Sequence, residues 1–460
     1  MLRCTLLAPI FVILFLTPSL AAASDNCLTG TCHSATVSVK RPHAPAKDGD
    51  CLSCHKQDTP QHPTPGKKGF SLVAKGEKLC APCHELPGKG SVVHPPVKDG
   101  DCLACHRPHG ADGRFLLKNS EDLSGLCFEC HDKTPFTNKR IHGPVAAGAC
   151  STCHTPHRSV EKALLKEPVN TVCLNCHADI KSLVSSSRVI HPPIQVAGCI
   201  SCHDPHSSAN LNLGTKKMPE LCFDCHKTIE SKLSKVKYLH KPLTQERGCG
   251  ACHSPHASQI KKLLPIDEKT LCLDCHGSNK LAPLKNIAEE LKGKKSVHGP
   301  IAVGRCSGCH DPHGSNNFRL LTGPYPETLY APYKEGIYDL CLKCHNKNLL
   351  KFPDTTVYTG FRNGKRNLHY VHVVNSRKGR TCRICHEPHA ANGPKLTNIE
   401  GARFGTWKIP FRLELTETGG RCSSGCHQSL AYDRITPVAY SSPVPKKFGA
   451  ASSARQGARK

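Results

Sequence analysis

The sequence predicts a mainly irregular fold of short α-helices strung out as tandem repeats, with a small β element near the C-terminus. Three observations predict it. Leu, Ile, Val and Phe make up about a fifth of the 460 residues, near the level at which a strongly charged chain reads as disordered. The 36 prolines and 36 glycines punctuate almost every segment and rule out long regular elements. A Cys/His motif recurs about every 50 residues, the mark of an array whose neighbours stack. Such a chain needs a core from disulfides, metals or large cofactors.

The N-terminus is predicted to be a signal peptide over residues 1–23. Arg3 precedes an apolar run from Leu6 to Leu16, and Ala21, Ala22 and Ala23 follow. Interrupted by Pro9, that run is too short for a membrane span of roughly 20 residues. Cys4 and Cys27 are poorly placed for a lipid anchor, and no other stretch could cross a bilayer. The mature protein is expected to be exported, to the periplasm or alternatively the cell surface.

The array is expected to span 24–430. A half unit, "CLTGTCH" in 24–40, comes first. Seven double units start near His43, His94, His142, His191, His240, His298 and His369. "HGPVAAGACSTCHTPHR" from His142 shows the pattern: a His near proline, a Gly-containing turn, then Cys-x-x-Cys-His-x-Pro-His. A second pair follows, as in "LCLDCH" at Leu271–His276. The first unit is looser, with "CHKQDTPQH". Short helices are predicted in "TIESKLSKV" from Thr228 and "LAPLKNIAEELKGK" from Leu281. The last two units carry long insertions. One holds Tyr325, Tyr330, Tyr333 and Tyr338. In the other Trp407, Ile409, Phe411, Leu413 and Leu415 alternate as in a half-buried strand. Capping the array is the expected role of these insertions, ahead of docking. The Ser/Ala/Pro/Lys-rich tail, 431–460, is predicted to be disordered.

Of 31 cysteines, Cys4 leaves with the signal, and the other 30 form 15 pairs, each followed by His. The pairs and their histidines are Cys27/Cys32 with His33, Cys51/Cys54 with His55, Cys80/Cys83 with His84, Cys102/Cys105 with His106, and Cys127/Cys130 with His131. Next come Cys150/Cys153 with His154, Cys173/Cys176 with His177, Cys199/Cys202 with His203, Cys222/Cys225 with His226, and Cys249/Cys252 with His253. The series closes with Cys272/Cys275 and His276, Cys306/Cys309 and His310, Cys341/Cys344 and His345, Cys382/Cys385 and His386, and Cys422/Cys426 and His427.

A disulfide scaffold has no reason to place His after every second cysteine. Zinc sites usually use two pairs each, and a His beside its own Cys is badly placed for a shared tetrahedron. Covalent c-type haem needs this spacing: two thiols add to two vinyl groups, and the adjacent imidazole reaches the iron. The expectation is about 15 haems c, with the altered spacings at Cys27/Cys32 and Cys422/Cys426 as departures.

Fifteen further histidines remain: His43, His62, His94, His109, His142, His157, His191, His206, His240, His256, His298, His313, His369, His372 and His389. They match the haems in number and are the candidate distal ligands. Methionine cannot serve widely, since only Met1 and Met218 exist. Imidazole on both faces leaves iron no open position and implies low potentials. His157, three residues past His154, is too close to reach the far face of its own haem, so each such His should serve a neighbour. Either His369 or His372 looks spare, and locality hands it to the last haem. On that count a His of each unit would serve the second haem of the unit before.

The formal charge of +26 would suit nucleic acid or anionic membrane. Haem propionates would offset much of it, so no nucleic-acid partner is expected. Residual basic surface could steer acidic redox proteins.

On "HGPV…CxxCHxPH…LCxxCH" and the closing "TETGGRCSSGCHQSLAYDR", the chain resembles multihaem c-type cytochromes with doubled Cys-x-x-Cys-His motifs, from metal- and sulfate-reducing bacteria. The resemblance implies an electron carrier rather than an enzyme. It would work between inner-membrane quinol oxidation and outer-membrane or terminal acceptors, with other cytochromes or conduit components as partners. The rival readings are a multihaem reductase with one open haem and a subunit of an extracellular cytochrome filament.

Overall fold

The computed structural model describes residues 27–29, 32–63, 65–85, 89–119, 123–281 and 284–440. The expected signal peptide and residues 441–460 of the expected tail lie outside these. Two compact bodies result: Met1–Cys176 with Asp204–Ala209, and His177–His203 with Asn210–Lys460.

In both bodies the leading histidine of a repeat sits in extended backbone and caps a single helical turn. His94 precedes Pro95–Lys98 and His142 precedes Gly143–Ala146, each with proline in the first turn. Proline suits that position because its missing N–H would have no partner there. Glycine then ends the turn: Gly148 takes φ 65°, in the left-handed region that a side chain resists. The first cysteine pair follows on one turn of 3-10 helix, such as Cys150–Thr152. The His154 N–H donates to Cys150 O at 3.1 Å, which brings the thiols and imidazole together. The second pair usually rides on a short helix, as in Leu123–Cys127 or Glu268–His276. The helices expected after Thr228 and Leu281 are Lys227–Leu233 and Ile287–Leu291.

Two-residue antiparallel ladders connect consecutive repeats. In the first body Arg41–Pro42 pairs with Gly110–Ala111, Val92–Val93 with Arg158–Ser159, and Arg140–Ile141 with Ser207–Ser208. That last ladder is why Asp204–Ala209 belongs to the first body. In the second body Val189–Ile190 pairs with Ala257–Ser258, Tyr238–Leu239 with Gly314–Ser315, and Ser296–Val297 with Ala390–Ala391.

Side-chain core is scarce until the last two repeats. There Tyr338, Leu350 and Val373 are buried together, with Tyr325, Tyr333 and Ile337 against them. The late tyrosines therefore build an apolar mass. The C-terminal β element is a three-stranded antiparallel sheet: Phe411–Leu415, Gly419–Ser424 and His427–Asp433.

Two expectations need correcting. The alternating run from Trp407 to Leu415 is not one strand. Pro410, with no N–H to donate, separates Phe411–Leu415 from a hairpin of Arg403–Phe404 with Trp407–Lys408. Ile409 is buried at 1% exposure while Trp407 is 50% exposed. Order also runs past Leu430. The last strand continues to Asp433, and Asn363 Oδ1 accepts the N–H groups of Asp433 (3.2 Å) and Val438 (2.9 Å).

Candidate haem-binding site

The ladders place histidine rings in facing pairs. In the first body His33 faces His62, His43 faces His84, and His55 faces His109. His94 faces His131, His106 faces His157, and His154 faces His206. In the second body the pairs are His191/His226, His203/His256, His240/His276 and His253/His313. His298/His345, His310/His389, His369/His386 and His372/His427 complete it. His142 and His177 fall in different bodies; the His142 ring is tethered to Pro205 O at 2.9 Å.

Centroid separations run from 5.8 Å at His43/His84 to 6.5 Å at His369/His386, with planes 10° to 40° apart. That is too wide for direct contact, since carbon atoms touch at about 3.5–4.0 Å. It suits one atom held between two ring nitrogens. Two metal–imidazole bonds of about 2 Å, plus about 1 Å from each nitrogen to its ring centre, give about 6 Å. Each pair includes the histidine of a Cys-x-x-Cys-His motif or of the wider-spaced Cys27/Cys32 and Cys422/Cys426 motifs. The residues therefore fit a haem, which the facing imidazoles and the adjoining thiols would hold.

The rings are aimed by their Nδ1 atoms, which leaves Nε2 for the metal. Two different tethers do this. Proximal histidines of first pairs donate to a carbonyl nine residues on: His106 to Phe115 O, His154 to Ala163 O, His203 to Asn212 O and His253 to Lys262 O, all 2.8 Å. His310 and His386 do the same to Arg319 (2.9 Å) and Lys395 (3.0 Å). Leading histidines serve second pairs and donate to the proline carbonyl just before the next repeat's xPH histidine. Examples are His43 to Pro108 O at 2.8 Å and His191 to Pro255 O at 2.9 Å.

The first tether carries strain. Its carbonyl belongs to the first of two consecutive non-glycine residues in left-handed backbone: Phe115–Leu116, Ala163–Leu164, Asn212–Leu213, Lys262–Leu263, Arg319–Leu320 and Lys395–Leu396. Each such residue costs roughly 1–2 kcal/mol. Sequence reading missed this turn, although a leucine ten residues after the motif histidine recurs in all six and could have flagged it.

Burial lowers the pKa of many rings, including His157, His206, His256, His310 and His386, and brings His369 to about 4. These rings stay neutral, the form a metal binds.

Successive pairs also touch through sulfur. Cys222 hydrogen-bonds to Cys249, Cys272 to Cys306, and Cys341 to Cys382. In each, that bond and then burial raise the pKa of the earlier thiol. These sulfurs stand in for thioethers, so neighbouring haems would meet at their attached edges. No disulfide forms among the described cysteines.

The fold does not cover the two cysteines of a pair equally. Cys32, Cys83, Cys130, Cys176, Cys225, Cys275, Cys344 and Cys426 are exposed, whereas every first cysteine is half-buried. None of these eight shares in the sulfur contacts just described, which join first cysteines. As attachment points Cys32, Cys54, Cys83, Cys130, Cys202, Cys225, Cys344 and Cys426 therefore rest on their spacing to the first cysteine and to the histidine that follows.

The reach of the xPH histidines also differs from expectation. His157 does face another repeat's ring, but it is His106, of the first pair in the preceding repeat. Histidines of second pairs instead face a leading histidine of their own repeat, as His131 faces His94 and His226 faces His191. His372 faces His427, the ring of the last pair, as locality suggested, and His369 faces His386, so both stay within the seventh repeat. Both ride on the helix Leu368–Val373, capped by Asn367.

The widened spacing of Cys422/Cys426 has a structural cause. This pair lies on a β-hairpin, with Cys422 in one strand and His427 opposite Ser424 in the next. An extended turn needs another residue to bring the three side chains together. Cys426, at the exposed tip, has the Tyr330 hydroxyl 3.9 Å from its sulfur.

Paired thiols beside facing imidazoles, repeated along the chain, define a multihaem c-type cytochrome. The chain belongs to the doubled CXXCH motif family, whose model matches residues 43–87, 94–136, 142–182, 191–231, 240–281 and 298–349, more than half of its length. The first half unit and the seventh repeat fall outside the matched segments. A search of curated proteins finds no match to this chain.

Proposed function

We propose that the protein carries and stores electrons on about 15 haems, each held by two cysteines and two histidines, in the periplasm between quinol oxidation and a terminal acceptor. Bound haem iron supplies one-electron exchange between its ferric and ferrous states. The facing rings, 5.8–6.5 Å apart, support this reading, because two imidazoles would hold each haem iron and leave it no position for a substrate. The chain's own work is to aim Nε2 from both sides, keep the imidazoles neutral, and set successive attachment sulfurs in contact. Partners would be other redox proteins, steered by lysines and arginines left unbalanced by propionates.

Intact mass of the protein from cells that attach haem c tests the count. The expected result is about 15 haems with a low-spin ferric spectrum throughout. A colourless folded product, or a high-spin signal in the wild type, overturns the carrier reading.

A further inference from the structure

The ring tethers described above end on neutral oxygens. That of His389 ends on a carboxylate: its Nδ1 lies 3.1 Å from Glu290 Oε2. Glu290 comes from the helix Ile287–Leu291, in the segment between the second pair of the fifth repeat and His298. The side chain is mostly enclosed, 14% exposed, and Lys285 Nζ holds its other oxygen at 2.6 Å. Glu387 joins the same cluster, 3.9 Å from Lys285. His310, facing His389, is itself tethered to Arg319 O, so both rings of this pair are fixed. Glu268 adds negative charge beside the attachment sulfurs, accepting from the Ser307 hydroxyl at 3.0 Å. The nearest parallel, His313 with Asp311, is 4.0 Å apart, too long for a hydrogen bond.

We propose that Glu290 is a positioning residue that lowers the reduction potential of the haem on Cys306 and Cys309 below those of its neighbours. A carboxylate accepting the Nδ1–H draws that proton outward and makes Nε2 a stronger donor. A stronger donor favours ferric over ferrous iron. The nearby carboxylates act in the same direction, while Lys285 tempers them. One electron is taken up at this haem as at the others; only its energy changes. The consequence is a step in the array, where an electron is least readily held.

The proposal rests on the haem reading above, so haem is counted first in full-length holoprotein, wild type and variants. Absence of haem from the wild type fails that reading, and this proposal with it, before any titration. With haem present, Glu290→Gln keeps a neutral acceptor. At fixed potential it should raise the reduced-to-oxidised ratio of one haem about tenfold, a rise of about 59 mV in one step of the spectropotentiometric curve. Lys285→Met, at a more exposed position, should move one step the other way by unmasking the carboxylate. One low-spin ferric signal should change its g-spread in both. If the glutamine variant sheds its haem, Lys285→Met decides alone. Curves superimposable on wild type at equal haem count overturn the proposal, as does a downward shift with glutamine.

Discussion

His43 donates its main-chain N–H to the carbonyl of His109 at 2.9 Å, yet their rings face different partners, His84 and His55. The same bond recurs at His94/His157 (3.0 Å), His191/His256 (2.9 Å) and His298/His389 (3.0 Å). One short ladder thus delivers a ligand to each of two haems in a repeat. Half of that delivery comes from the repeat that follows.

Removing an xPH histidine should therefore open a haem in the preceding repeat. His256→Ala is expected to leave the iron on Cys199/Cys202 five-coordinate and the rest unchanged. Electron paramagnetic resonance should show one haem's worth of high-spin ferric signal. A signal from the Cys249/Cys252 haem instead would contradict the pairing.

The left-handed turns predict an unusual response to glycine. Ala163 is exposed, with φ 53° and ψ 24°, so substitution there probes backbone alone. Ala163→Gly should stabilise the holoprotein by up to about 1 kcal/mol, and Ala163→Val should destabilise it by about as much or more. Denaturant midpoints followed by haem absorbance measure both.

Asn367 organises the last repeat. It is fully buried; its Nδ2 donates to Leu349 O and Phe352 O at 2.9 Å, and its Oδ1 accepts the N–H groups of His369 and Tyr370. Asn367→Ala removes the helix cap and strands two carbonyls, a cost of about 2–4 kcal/mol. The haems facing His369 and His372 should lose low-spin character together, while those on Cys199 to Cys275 keep theirs.

Acid should act on the same place. Burial lowers His369 to about 4 from 6.5, so the folded ring stays neutral while the unfolded one takes a proton. Stability from this site is complete above about pH 6.5 and is lost progressively as pH falls toward about 4. Iron at Nε2 would keep the folded ring neutral further still, so denaturant midpoints of the holoprotein should fall as pH drops below about 6.5. His369→Asn should abolish that component of the titration.

The cysteine pairs, the fifteen additional histidines and the 50-residue repeat were legible because covalent chemistry fixes residue type and spacing. Their partners were not. Pairing depends on ladders of two residues, too short to leave a period-two signal. Counting histidines suggested that cross-repeat ligands reach second pairs; the His109 ladder sends them to first pairs instead. Nor does spacing say which cysteine of a pair the fold will cover, since Cys222 and Cys225 look alike in sequence and differ in exposure. The expected single strand breaks at Pro410, where alternation of apolar residues outran the backbone's ability to donate. Glu290 left no sequence signal because a glutamate in a helix is ordinary until its neighbour is known.

The self-sufficiency of the seventh repeat has a temporal meaning. Emerging from its N-terminus, the chain can complete the leading haem of a repeat only after the following xPH histidine has appeared. On this pairing, completion of each leading haem's ligand set would trail elongation by one module. The pair His369 and His372, mounted on a single short helix, faces two rings of its own repeat and would wait on no later module. A product cut short anywhere upstream would keep one unfinished iron at its growing end, a built-in label for incomplete molecules.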